Sequence, residues 1–484
     1  MMLLLPLLIP IVGAAVLLGF GAHSGRARRL ALVVGGAEIV AILRMVWAVY
    51  SSGPLQSGRF LRVDGLSAFF LLNVALVSGL ALVYSLDYLR HTEGERFSSA
   101  RWFYALLFFF MFTMVGVCLS SNLGLLWIMM EATTLASALL VGFYNTRGAV
   151  EAGWKYLIVC TVGIAFALFG TIVLYLAAIR SGLPPNVALD WTALMEAAPR
   201  LAGGTALLKL AFVFVVVGYG TKVGFVPMHS WLPDAHAEAP SPISAMLSGV
   251  LLNCALYTLL RYDAIISRAM GTNFTHTLLL VFGVLSLVTA GLLIVVQRDL
   301  KRLLAYSSIE HMGIVAIGVG LGGGLGLYGA LLHTFNHSLG KTMLFFVAGN
   351  VRQNFGTLRM DRIGGLARTM PKTALALILG SLAIVGLPPF ALFVSEFAIL
   401  SEAFTQSRVL VVTLFLATLT VVFGGMLQHL FGMFFRETKQ PAAVPHMALS
   451  EAVPIALAAA GLVWFGVHIP AGFKALIDGA MAVL

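Results

Sequence analysis

Apolar runs of about 20 residues succeed one another along this chain with only short polar breaks between them, each long enough at 1.5 Å per residue to cross a hydrocarbon core. That recurrence predicts an all-α, polytopic membrane protein of about fourteen transmembrane helices. Composition agrees: 10% of the 484 residues are charged and 60% are hydrophobic, whereas soluble domains carry about a quarter charged residues. The predicted spans are 2–20, 29–50, 65–88, 101–120, 122–143, 152–178, 205–226, 241–261, 275–296, 300–321, 325–349, 372–403, 409–434 and 450–469. They leave nothing over for a soluble domain, so residues 1–484 read as a single integral membrane domain. The first run has no charged leader and no small-residue cleavage site, and reads as a retained span.

A formal charge of +10 raises the question of nucleic acid. The basic residues answer it, since they sit singly or in small groups at the ends of apolar runs, as membrane topology requires. Alternate loops, "SGRARR", "LRHTEGERFSSAR", "QRDLKR" and "VRQNFGTLRMDRIGGLARTMPK", are basic, and those between them are nearly empty. Because Lys and Arg accumulate on the cytoplasmic side, both termini are expected outside, in a bacterial inner membrane. Cys118, Cys160 and Cys254 are far apart and show no zinc or cluster spacing. No disulfide, metal or cofactor is expected in this chain.

Two spans contain helix breakers: the seventh at "GYGTKVGFVP", residues 218–227, and the twelfth at "GLPPFALFVSEF", where Pro388 and Pro389 remove backbone donors. They lie five spans apart. Paired broken helices point to an internal repeat with an ion site at the breaks, and an odd offset makes the halves inverted. Two inverted five-helix repeats are expected, at about 101–261 and 275–434, with broken helices 7 and 12.

Ionisable residues at membrane depth are costly and face a partner or water. Glu131, in "NLGLLWIMMEATTLASALLVGFY", falls near the middle of the fifth span; its bland reading is a protonated carboxyl satisfied within a packed bundle. Lys222 is its natural partner, each setting the protonation of the other. The bland reading of Lys222 is a side chain snorkelling to the interface. His333, His337 and Lys341 recur every four residues and share a helical face, near Glu310 and His311 of "SSIEHMG". Such a row can line water. Histidines at i and i+4 can also bind zinc, but the lysine on the same face argues against a metal. Glu396 follows the double-proline break and by repeat symmetry is the positional counterpart of Lys222, with an interfacial salt bridge as its bland reading. Glu131, Lys222, the His-Lys helix and Glu396, in chain order, make a candidate proton wire whose sites set one another's protonation through direct Coulomb interaction.

The stretches "LLWIMMEATTLAS", "TKVGFVPMHSWLPDAHAEAPSPISAMLSGVLLNCALYTLLR", "DLKRLLAYSSIEHMG" and "GLPPFALFVSEF" resemble the antiporter-like subunits of NADH:quinone oxidoreductase and of the Mrp cation/proton antiporters, over nearly the whole chain. The pattern K-x4-P-x-H-x-WLP, which includes Lys222 and His229, is specific for that superfamily. The resemblance implies a fourteen-helix fold with inverted repeats and a coupled pair of Glu131 and Lys222. It places His311 and His337 on central-axis histidines, Lys341 on a central lysine and Glu396 on a terminal acidic residue. One position departs: where many members carry lysine in the eighth span, this chain has Asn253, so either water with Tyr257 and Glu310 bridges a relay gap or conduction is impaired. Within the superfamily the chain looks most like the F component of hydrogenase 4, from group 4 nickel-iron hydrogenases and formate hydrogenlyase. With no lateral helix after the fourteenth span, it is not expected to be the longest respiratory-complex subunit.

The resemblance implies a proton-translocating subunit that holds no redox centre and is not an enzyme alone. Its driving force would come from partners: other antiporter-like and quinone-site-like membrane subunits and, through them, a nickel-iron hydrogenase or another redox arm. The alternatives are a subunit of NADH:quinone oxidoreductase, a sodium/proton antiporter of the Mrp type, and a scaffold that lost conduction with Asn253.

Overall fold

The computed structural model describes residues 2–19, 24–92, 99–437 and 447–484. Residues 93–98 of the second basic loop lie outside them. Among the described residues fourteen helical segments, here called crossings, follow in chain order, each predicted span falling on one. The first six are α1 (Leu5–Gly19), α2 (Ser24–Ser52), α3 (Gly65–Tyr88), α4 (Ala100–Leu119), α5 (Leu123–Val141) and α6 (Arg147–Arg180). A small hairpin, β1 (Leu55–Ser57) with β2 (Leu61–Val63), precedes α3. After α6 the long loop carries an amphipathic helix that the sequence reading leaves as loop, α7 (Trp191–Leu201), and then α8 (Thr205–Val223) begins. The short helices α9 (Leu232–Glu238) and α10 (Ser241–Met246) lead through a π turn, Leu247–Leu251, into α11 (Leu252–Met270).

The second half holds α12 (Asn273–Val295), α13 (Leu300–Leu321), α14 (Gly323–Phe355) and one turn, α15 (Leu366–Thr369). The twelfth crossing is the pair α16 (Pro371–Ile384) and α17 (Ala391–Thr405), parted at the double proline as expected. The chain goes on with α18 (Val409–Phe435), α19 (Leu449–Val467) and a further helix not among the predicted spans, α20 (Ala471–Met481).

Helix starts are set by short polar side chains that accept the orphan amides of the first turn. Asp64 caps α3, Asn122 caps α5, Thr146 caps α6 and Asp299 caps α13. In the seventh crossing the expected break at 218–227 is confined to its second part. Residues 218–223 are regular helix, and the interruption begins at Gly224, whose φ of 90° ends α8 in the left-handed region that glycine enters freely.

Polarity is arranged inside out. The crossings at the centre are the most buried, 100% of the most apolar window in residues 241–270 and 94% in α13, against 33% in α18 and 28% in α19. The outer helices turn Trp47, Trp154, Ile158, Val409 and Leu410 outward, as lipid demands. Eleven described helices are long and apolar enough to cross a membrane; α14 is not one of them, since it spends His333, Asn336, His337 and Lys341 on the interior. Close approach of neighbours relies on glycine. A Cβ on Gly218 of α8 would stand 2.5 Å from the Ala167 nitrogen of α6, and Gly283 of α12 and Gly313 of α13 each face the other's carbonyl oxygen.

One backbone arrangement occurs twice. The Leu123 amide donates to Leu189 O (2.8 Å) and the Trp191 amide to Ser121 O (3.0 Å), tying the start of α5 to the segment after α6. In the second half the Leu300 amide donates to Leu358 O (3.0 Å) and the Met360 amide to Arg298 O (2.8 Å), tying the start of α13 to the segment after α14. The two bridges are five crossings apart, hence at opposite ends of the bundle.

Candidate functional site

Lys222 ends α8 fully buried, and its stem points at α5. Its ammonium donates to Met130 O at 2.9 Å and Thr133 Oγ1 at 2.5 Å. A neighbouring helix thus receives the charge, two residues before the break at Gly224. Glu131 is half-buried rather than enclosed. Its carboxylate accepts from Thr161 on the exposed side of α6 (2.8 Å) and from Thr134 (3.3 Å). Lys222 and Glu131 therefore meet adjacent parts of the same turn without forming an ion pair among the described residues. Successive threonines divide the pair: Thr133 holds the base inside, and Thr134 holds the acid outside.

The second half repeats the lysine's setting. Lys341 of α14, also buried, donates to Leu304 O (2.9 Å) and to the Ser307 hydroxyl on α13. A carbonyl at one position and a hydroxyl three residues later receive each lysine. Glu310 is the acid beside Lys341, and its Oε2 has no partner. One turn along α14, His337 is buried with neither ring nitrogen bonded, its ring 5.3 Å from that of His311. His311 Nδ1 and His333 Nε2 share a hydrogen bond of 2.9 Å, and His333 Nδ1 meets Ser395 Oγ at 2.9 Å. Next in the chain stands Glu396, buried, with Oε1 unpartnered. The row predicted from the four-residue spacing thus faces α13 and ends at α17.

His311, His333 and Glu396 bring ligand atoms within 4.8 Å of one another, the arrangement a metal would use. The His311 and His333 nitrogens, 2.9 Å apart, lie within hydrogen-bonding distance, the donor being set by the tautomer.

Two sequence candidates for the relay gap take other posts. Asn253 donates from Nδ2 to Gly249 O (2.7 Å) and Ser338 Oγ (2.8 Å), which joins α11 to α14, and leaves Oδ1 unpartnered. Tyr257 does not reach towards Glu310. Its hydroxyl meets Cys118 O at 3.2 Å and Ser67 Oγ at 3.1 Å, beside the buried pair of Arg261 and Asp64. His229 stands apart in the loop after α8, half-buried, its ring 6.2 Å from Tyr306 and its Nδ1 unpartnered.

The fold adds groups that sequence reasoning passes over. Thr133 and Ser307 carry no signal beyond their places on helices that also bear acids. Lys301 reads as part of the basic loop "QRDLKR" yet is fully buried, its ammonium 2.5 Å from Ala239 O. His236 is enclosed with both nitrogens unpartnered. Glu38, a lone acid in α2, is buried with both oxygens unpartnered.

Residues 120–423 match the family described as NADH:quinone oxidoreductase/Mrp antiporter, TM, and residues 47–98 match the N-terminus of chain 5 of NADH-ubiquinone oxidoreductase. The chain belongs to the NADH:quinone oxidoreductase/Mrp antiporter family. Among its relatives, a hydrogenase-4 component F homolog of Methylacidiphilum infernorum is 40% identical over 388 residues, 79% of this chain and 80% of that one. Subunit N of the NADH-quinone oxidoreductase of Desulforudis audaxviator is 35% identical, over 76% of this chain and 72% of its own. A chain of the membrane-bound sulfane sulfur reductase, an archaeal respiratory membrane complex, superposes with a TM-score of 0.89 at 24% identity, covering 99% of this chain and 97% of its own. The protein is accordingly an antiporter-like membrane subunit of the hydrogenase-4, NADH:quinone oxidoreductase and Mrp type.

Proposed function

We propose that this subunit translocates protons in a multisubunit redox complex of the group 4 membrane-bound hydrogenase type, seated in a bacterial inner membrane with both termini outside. The observation that carries the reading is the pair of buried lysines, Lys222 and Lys341, each resting on a carbonyl and a hydroxyl with an acid close by. A lysine so held is charged or neutral at small cost, because its partners accept from the ammonium and its neighbouring carboxylate tips the balance. The acid of the first set, Glu131, is partly open at the periphery of the bundle, where a neighbouring membrane subunit can alter its charge. A change there shifts Lys222, and the row His337, His311, His333 and Glu396 receives a proton in turn. Two inverted repeats, 101–261 and 275–434, account for the paired backbone bridges; the two lysines stand on helices the repeat does not relate, and share only the kind of setting. The chain supplies no redox centre; electron transfer belongs to a hydrogenase arm reached through other membrane subunits.

The test is proton translocation per electron in membranes that carry the assembled complex. Glu131→Gln and Lys222→Ala are expected to lower it while complex content stays constant. Unchanged translocation in both refutes the reading. Proton flux that requires sodium and persists without redox substrate points instead to cation/proton exchange of the Mrp type. A gain on Asn253→Lys shows that the asparagine limits conduction; no gain, with Glu131→Gln harmless, leaves a scaffold.

A further inference from the structure

We infer that Lys341 is supplied with protons through α9, by way of Lys301 and His236, from a polar cavity at the basic-loop end of the bundle. The inference rests on the proton-translocation reading and adds an entrance to it. The cavity, about 220 Å³, is bounded by the first turns of α6, by α9 and by the start of α13. Asp234 and Glu238, one helical turn apart on α9, line it together with Lys155 and Arg302. Both cations hold Asp234 at 2.5 Å, whereas Glu238 lies against Gly148 of α6.

The other side of α9 faces a closed interior. His236, two residues from each acid, stacks on Phe345 of α14 with ring centroids 5.0 Å apart, and neither of its nitrogens has a partner. An imidazole in that condition can accept a proton on one nitrogen and give it up from the other. Its charged neighbours are Lys301, which reaches the carbonyl three residues after His236, and Lys341, one turn before Phe345 on α14. Lys301 in turn has Glu238, Asp299 and Arg352 as charged neighbours, and its ammonium sits on the carbonyl of Ala239, the residue after Glu238. Lys301 thus meets the wall of the cavity from inside, next to Arg302, which meets it from outside.

Along α13 the positions run on from there. Lys301, Leu304 and Ser307 recur every three residues on one flank, a rise of about 9 Å, and the last two receive the Lys341 ammonium. The order is cavity acid, Lys301, His236, Lys341 and then the histidine row. None of these steps passes through Asn253, which is engaged between α11 and α14. A chain without lysine at 253 therefore retains a way to load its second half.

The experiment uses the whole complex reconstituted in liposomes, with proton uptake driven by a potassium diffusion potential and read by an enclosed pH dye. Lys341→Ala defines the share of flux that this axis carries. Lys301→Met and His236→Phe are expected to remove that same share, and added imidazole is expected to restore flux to His236→Ala, which packing alone does not explain. Should His236→Phe fail to assemble, His236→Gln and Lys301→Met give the answer. Flux retained in Lys301→Met and the His236 variants, with Lys341→Ala deficient, overturns the entrance but not the function. No deficiency in Lys341→Ala overturns both.

Discussion

Thr133 and Thr134 show how finely single residues set this site. Neighbouring side chains on a helix point about 100° apart, so adjacent hydroxyls serve opposite directions, one holding Lys222 in the interior and the other Glu131 at the margin. Replacing Thr133 by valine leaves a buried ammonium with one acceptor, Met130 O. That loss is expected to cost about 1–3 kcal/mol. Thermal unfolding of the purified complex should show the drop for Thr133→Val and near-complete recovery for Thr133→Ser; equal melting of all three contradicts the assigned contact. Glu131, Lys222 and the row His333, His337 and Lys341 are legible in sequence because a charge inside an apolar run is expensive and therefore conspicuous. Lys301 and His236 are not, since each is adjacent in sequence to ordinary polar loop residues, and only the fold encloses them.

At the scale of elements, the crossings are legible from run length alone, and the double-proline break in the twelfth is located by residues that cannot donate. The seventh breaks within the expected stretch 218–227, but only from Gly224 on, because Gly218 and Gly220 resemble breakers in sequence and lie in regular helix. Gly218 has a packing role against Ala167 of α6, while Gly224 performs the break. Two substitutions separate these roles. Gly218→Val overpacks the contact between α6 and α8, and about 1–3 kcal/mol of stability should be lost, with Lys222 displaced from Thr133. Gly224→Ala must place a Cβ at a φ of 90°, 2.6 Å from Leu232 Cδ1, for a loss of about 1–2 kcal/mol. Melting temperatures in detergent measure both. If Gly218→Val melts like the parent, the close approach of α6 and α8 is not as tight as described.

For the molecule as a whole, the most telling connection joins distant parts of the chain. Arg261 of α11 donates to both oxygens of Asp64, the cap of α3, at 2.8 and 2.6 Å, with 1% and 3% of the side chains exposed. Its guanidinium also lies 4.2 Å from the centre of the Trp191 ring of α7, so the start of α3, the loop helix and a central crossing meet at one charge. Arg261→Met strands the Asp64 carboxylate and is expected to destabilise the fold by about 3–5 kcal/mol. Adding Asp64→Asn should return part of that loss, a coupling that unfolding of the single and double variants measures. Additive effects mean that the two do not interact. By itself the sequence determined that this chain is a bundle of membrane-crossing helices, where their apolar runs begin and end, and that ionisable residues such as Glu131 and Lys341 fall within those runs, because hydrocarbon thickness and the cost of buried charge act on each segment separately. Only the tertiary structure decided which partner each of those residues meets, since whether a lysine reaches an acid, a hydroxyl or a cavity wall depends on which faces of which helices are packed together.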